Sequence, residues 1–214
     1  MMVSTAPRSP ASGRPANPEA RAQRRENILA GAFRCFVRKG FHAATTAEIS
    51  AEAGVSVANL YQYFPSKDDL IKALVQADLA IDLELVRMVD AADTLAEGLE
   101  HTTRMLVTDP DLLSGVRLRL EILAEAGRNP VIAEEVRRAA AQMVDAIVQL
   151  IVRRQRAGEV RNDVSPETAA ELILSMYDGL ASRLAFGGGD PAVLARAADQ
   201  MILTSFGVGR SPPT

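Results

Sequence analysis

Tryptophan is absent from this 214-residue sequence, and six Phe and three Tyr supply all of its rings. So few aromatics argue against recognition through a cage of rings. Cys35 is the single cysteine, which excludes an intrachain disulfide. Its place beside Phe33 and Phe36 on a predicted helix reads as a small core residue, with a redox-sensing thiol as the alternative. Histidine occurs only at 42 and 101, far apart and without a ligand-spaced partner. HExxH, CxxC and GxSxG are all missing, so neither an enzyme, a metal site nor a cofactor is expected. Gly187-Gly188-Gly189 is no phosphate cradle, because no Gly-Lys-Ser/Thr follows it. No apolar run approaches the ~20 residues of a bilayer span, and the N-terminus lacks an apolar signal core. The expected compartment is the cytoplasm, with no membrane partner.

Ala and Leu dominate what is present, which favours helix. Neither strand patterns nor internal repeats stand out, so the predicted fold class is all-α. The net charge of −3 hides an asymmetry. Residues 1–75 hold ten Lys and Arg against six Asp and Glu, a balance of +4; residues 76–214 hold fourteen against twenty-one, a balance of −7. A basic head on an acidic body suits one end that meets phosphate.

Residues 1–17 are rich in Pro, Ser, Ala and Gly and predict a disordered basic tail, either solvated or reaching DNA with Arg8 and Arg14. The spacing of Ile28, Leu29, Ala32, Phe33, Phe36 and Val37 predicts one amphipathic helix over 18–39, ended by Gly40. Thr45 with Glu48 reads as a capping box, Ile49 and Ala53 as a buried face, and Gly54 as a left-handed stop. Ser56 caps a second short helix from Val57 to Phe64, which Pro65 ends. Ser66 then opens a long helix over 67–91. Helix, glycine-containing turn and helix form the helix-turn-helix layout, whose second helix enters the DNA major groove.

At Gly40-Phe41, Thr45-Thr46, Ile49, Ala53-Gly54-Val55-Ser56, Leu60-Tyr61, Tyr63-Phe64 and Ser66-Lys67 leading to Leu70, the chain resembles the TetR family of bacterial transcription repressors. The resemblance covers roughly the first third of the chain. It implies a DNA-binding head over 18–66 and a helical body over 67–214 that binds a small effector and forms a homodimer through its last two helices. It also implies phosphate contacts from Thr45, Thr46, Tyr61, Tyr63 and Lys67. The start of the recognition helix, Ser56, Val57, Ala58 and Asn59, is placed to meet base edges. Val57 and Ala58 offer only apolar contact, whereas Asn59 matches the N6 and N7 edge of adenine. Val57 and Ala47 depart from the family's polar pattern, which points to a readout leaning on DNA shape.

In the body, helices are predicted over 94–107, 110–126, 131–157, 165–186 and 190–206. Ser175, Gly179 and Ser182 recur along one face of an apolar helix, where small residues permit close approach of a second helix. Intrachain packing is the alternative. Ala198 and Ile202 are expected to complete the dimer seam on the last helix. Leu120, Met143, Met176 and Tyr177 are the expected lining of an effector cavity, with Glu121 as its polar anchor. Glu121 and Glu125 lie one turn apart, and either Arg117 and Arg128 neutralise them or they hold a cationic ligand. Two functions remain open at this stage. One is a repressor released from a palindromic operator by a small molecule; the other is a ligand-independent architectural or accessory DNA-binding dimer.

Overall fold

Short polar side chains set the helix starts. The computed structural model describes residues 18–208, so the expected tail and the last six residues lie outside the described residues. Among the described residues there are nine helices and no strand: α1 (Pro18–Lys39), α2 (Thr46–Glu52), α3 (Val57–Tyr63), α4 (Lys67–Ala91), α5 (Leu95–Thr108), α6 (Pro110–Ala126), α7 (Pro130–Arg156), α8 (Pro166–Ala185) and α9 (Pro191–Ser205). Thr45 and Glu48 form the capping box at α2, and Ser56 and Ser66 cap α3 and α4. The last four helices begin with Pro after Asp109, Asn129, Ser165 or Asp190, whose side chains accept first-turn N–H groups. Proline is pre-set for that position and sacrifices no helix bond there. The sequence spacing starts α7 at 131. The Asn129 cap makes Pro130 its first residue instead.

The core is divided between the two ends of the molecule. At the head, Ile28, Phe36, Ile49, Leu60, Leu70 and Ile71 are completely buried. Each contributes roughly 1.5–3 kcal/mol relative to exposure. Leu118, Ile122 and Ile132 of α6 and α7 belong to the same cluster. The apolar core therefore runs past residue 66, and the first half of α4 is part of the head's packing. Cys35 is buried there, and burial pushes its thiol above the ordinary value. The second cluster joins Val89, Leu95, Leu99, Ile147, Ile151, Ile173 and Ile202 in the body.

Close approach of α4 and α5 depends on Gly98. A Cβ there would lie 2.8 Å from the Val89 Cα and carbonyl oxygen. The end of α4 is held by Arg154 of α7, which is buried. Its guanidinium donates to the Val89, Asp90 and Ala92 carbonyls at 2.8, 3.1 and 2.9 Å and pairs with Glu159 at 3.0 Å. Glu159 in turn accepts the Leu95 N–H at the start of α5. One ion pair thus satisfies the last carbonyls of α4 and fixes the α4–α5 corner.

Candidate nucleic-acid interface and internal cavity

The head's turn forms because Gly54 takes φ +66°, a conformation costly for any residue with a Cβ. It directs α3 across α2. On α3, Val57, Ala58, Tyr61 and Gln62 are exposed and share one face, while Leu60 is buried. Asn59 is half-buried. Its backbone N–H bonds Ser56 Oγ at 3.1 Å, and its Nδ2 donates to Gln62 Oε1 at 3.2 Å. Its own Oδ1 has no partner. Gln62 was not among the expected contacts. Its spacing of four from Ala58 carried the signal, since positions one turn apart share a face.

Thr45 is exposed at the start of α2 and Thr46 is half-buried. The Tyr61 hydroxyl lies 3.5 Å from Thr46 Oγ1, so the two helices present these groups together. Tyr63 packs against the head core under Arg21, whose guanidinium is 5.8 Å from the ring centroid. Arg25 lies over Phe64 at 5.2 Å. These arginines of α1 therefore pin the aromatic pair at the end of the recognition helix. Lys67 is half-buried at the first position of α4, its ammonium 4.8 Å from the Phe41 centroid and 5.8 Å from that of Phe36. Burial lowers its pKa, with Glu125 and Asp68 pulling the other way. A phosphate contact requires it to lift off the rings. Further along α1, cations face protein carboxylates: Arg34 and Arg38 pair with Glu52, and Lys39 with Glu48. The Lys39 bond, then the Thr45 backbone, hold the Glu48 carboxyl down to about 2.

In the body a cavity of about 350 Å³ lies between α4, α5, α6, α7 and α8. Its wall is mostly apolar, with Leu85, Leu99, Val116 and Ile147 prominent. Met143 and Tyr177 line it as placed by the sequence reading, whereas Leu120, Glu121 and Met176 do not. The Glu121 assignment is corrected by geometry: it is exposed one turn beyond the cavity, and its Oε2 accepts the Phe41 N–H at 3.4 Å. Glu125 likewise faces the head, 3.0 Å from His42 Nε2 and 3.1 Å from Arg128 Nη2. Arg117 instead donates to the Ala185 carbonyl. Met176 packs between the body clusters. The periodicity that put Glu121 on an apolar helix could not say which end of that helix faces the cavity.

The polar groups at the cavity are of two kinds. Thr103 and the Tyr177 hydroxyl are 3.0 Å apart and both donate to Asp199 Oδ1, at 2.7 and 2.8 Å. Burial, then the Asp199 charge, push the Tyr177 hydroxyl above its ordinary value, so it remains a donor. The second kind is a charged group of Asp78, Asp82, Asp178 and Arg119. Among the described residues no cluster of His, Cys, Asp and Glu could hold a metal, and no helix is long and apolar enough to cross a membrane.

On α8, Leu172 is 57% exposed, Ser175 and Gly179 are exposed, and Ser182 is half-buried. A Cβ at Gly179 would meet nothing within 4 Å, so packing inside the chain does not explain this glycine. Phe186 beyond α8 is 75% exposed, and Val193 and Met201 of α9 are 52% and 60% exposed. Ala198 and Ile202 are different. Both are buried in the chain's own core, so the outward face of α9 carries Val193, Ala197 and Met201 instead. The sequence reading selected the inward side of a helix that carries apolar residues on both sides, where periodicity gives little direction.

A capped helix-turn-helix with an exposed second-helix face, set on an all-helical body, defines a DNA-binding transcription regulator. Residues 28–74 match the family described as bacterial regulatory proteins, tetR family, and residues 95–206 match the C-terminal region of BetI-type transcriptional repressors. The chain belongs to the TetR family. It is 32% identical over 178 residues to the HTH-type transcriptional repressor Rv1474c of Mycobacterium tuberculosis, covering 83% of this chain and 90% of that one. It is 30% identical over 179 residues to the HTH-type transcriptional repressor AcnR of Corynebacterium diphtheriae, covering 83% and 89%. Salmonella enterica GusR superimposes with a TM-score of 0.75 at 28% identity, over 86% of this chain and 96% of that one. The family and these relatives are transcriptional regulators and not enzymes.

Proposed function

We propose that this protein is a cytoplasmic, ligand-responsive repressor that binds a palindromic operator as a homodimer and is released by a small-molecule effector. The cavity carries this reading, because helices that wall it also reach the head, α4 and α6 among them. α6 contributes Leu112, Gly115, Val116, Leu118 and Arg119 to the cavity, then contacts Phe41 and His42 through Glu121 and Glu125. α4 contributes Asp78, Ile81, Asp82 and Leu85 to the cavity and Leu70, Ile71 and Leu74 to the head core. A ligand that favours one spacing of these helices moves the heads relative to each other; one with equal affinity for both spacings does nothing.

In the bound state, Val57, Ala58, Asn59 and Gln62 meet base edges. Thr45, Thr46, Ser56 and Tyr61 meet phosphate, with Lys67 joining them after leaving its rings. The exposed apolar faces of α8 and α9 pair with those of a second copy. Half-site centres are expected one helical turn apart or a multiple, ~34 Å. The test is a titration of the purified protein–operator complex with fractionated cell metabolites, followed by DNA anisotropy and by the melting temperature of the free protein. The reading requires one fraction to release DNA and raise the melting temperature over the same concentration range. Release by none, with tight operator binding throughout, returns the protein to the architectural class.

A further inference from the structure

The cavity assigned above to the effector has a charged wall that is out of balance. Arg119 Nε donates to Asp78 Oδ2 at 2.8 Å, Nη2 to Asp82 Oδ2 at 2.8 Å, and Nη1 reaches Asp178 Oδ1 at 3.5 Å. Every guanidinium nitrogen is thus occupied by a carboxylate. One cation faces three anions, a deficit of two positive charges when all are ionised. Asp178 is mostly exposed and water screens it, whereas the Asp78 and Asp82 side chains are only 26% and 25% exposed, so their share of the deficit is the part that water relieves least. Burial, with Asp78 and Asp178 adding to it against the pull of Arg119, pushes the Asp82 carboxyl up to about 6.

The same four residues border a second hollow of about 170 Å³ between α4, α6, α7 and α8. Leu123 and Ala140, both exposed, lie on its wall. The charged group therefore stands between the surface hollow and the apolar interior. A molecule seated with its polar end here and its carbon skeleton inward would bury apolar area while keeping its charge beside these carboxylates.

Resting on the sensor reading, we propose that the cavity selects an amphipathic organic amine, whose ammonium sits among Asp78, Asp82 and Asp178 and whose apolar body lies against Leu85, Leu99 and Ile147. An ammonium supplies both the missing charge and up to three donors. A carboxylate ligand would meet three like charges and find no free guanidinium nitrogen. A neutral ligand would leave the deficit as it stands.

Three probes of equal length separate these cases: n-octylamine, n-octanol and octanoate, each titrated at pH 7.5 into full-length protein by calorimetry, with and without operator DNA. Octylamine is expected to bind at least tenfold more tightly than either of the others and to release the DNA. Asp178→Asn is a mild test, since that side chain is 61% exposed and its loss leaves the core untouched. This change, and Asp82→Asn, are each expected to reduce octylamine affinity severalfold while leaving octanol affinity unchanged. Octanol binding as tightly as octylamine, or octanoate binding more tightly, overturns the charge selection and leaves the cavity reading intact. Amine-selective binding that never releases DNA upholds the charge selection and overturns the sensor reading. Binding of none of the three overturns both.

Discussion

In the proposed DNA complex, the Asn59–Gln62 amide pair on α3 carries the hydrogen-bonding part of base reading. Asn59 is half-buried with its Nδ2 committed to Gln62, so Gln62 is the more accessible of the two. Gln62→Ala is expected to relax preference at one base pair by roughly 1–3 kcal/mol. Competition with operators changed one position at a time checks this. Equal weakening on specific and random DNA would assign Gln62 to the backbone instead. Asp82 makes a different residue-scale prediction. Its carboxyl titrates at about 6 when folded, against an ordinary value of 3.8. Between those values the folded protein keeps a proton that the unfolded chain has lost. Stability therefore falls as pH rises from about 4 to about 6 and levels off above that. Asp82→Asn removes this penalty. The melting temperature of the variant minus that of wild type should rise by several degrees between pH 4 and pH 7, from a contribution of order 1–3 kcal/mol. A difference that stays level across that range would show that Asp82 is not held above its ordinary value.

At the scale of elements, α8 and α9 each show one face to their own core and another to the outside. The outward face of α8 carries apolar and small residues together: Leu172 and Phe186 are exposed near its ends, with Ser175 and Gly179 between them and Arg183 beside them. Glycine inside a helix costs ~1 kcal/mol relative to alanine, and no packing among the described residues accounts for Gly179. Gly179→Leu has room in the single chain, so the fold should survive. In a packed seam between two copies the added side chain costs roughly 1–3 kcal/mol or more. Sedimentation should show the variant as a monomer with unchanged helicity and greatly weakened operator binding. A wild-type-like dimer would move the seam off this face. The α4–α5 corner is the opposite kind of element contact. Arg154 and Glu159 close it wholly within one chain, and no assembly is needed to satisfy the carbonyls they hold.

Across the whole molecule, α4 and α6 link a cavity in the body to a DNA-facing head. Met143 lines the cavity from α7 and belongs to neither of these two helices. Met143→Trp should fill part of the space and weaken effector response at least tenfold, while operator affinity stays within about twofold of wild type. Anisotropy with and without effector measures both quantities. Loss of DNA binding in the variant would mean that the larger ring itself drives the heads apart, and filling the cavity would then mimic the ligand.

Local chemistry alone determined the helices and the head. Capping side chains, Gly54 and the proline positions act over a few residues, so their consequences are readable in order along the chain. The short α2 and α3, their turn and the start of α4 follow from them. Only the tertiary structure decided which side of each apolar helix faces inward. Ala198 and Ile202 turned out to be core, and Met201 outward, because α9 is apolar on both sides. It also decided which acids meet which bases. Glu121 and Asp82 are both acidic side chains on helices, yet one accepts a bond from the Phe41 backbone and the other joins Asp78, Asp178 and Arg119 at the cavity. Phe41 lies 80 residues from Glu121 and Arg119 lies 37 from Asp82, and helix packing, which no local pattern encodes, brings them together.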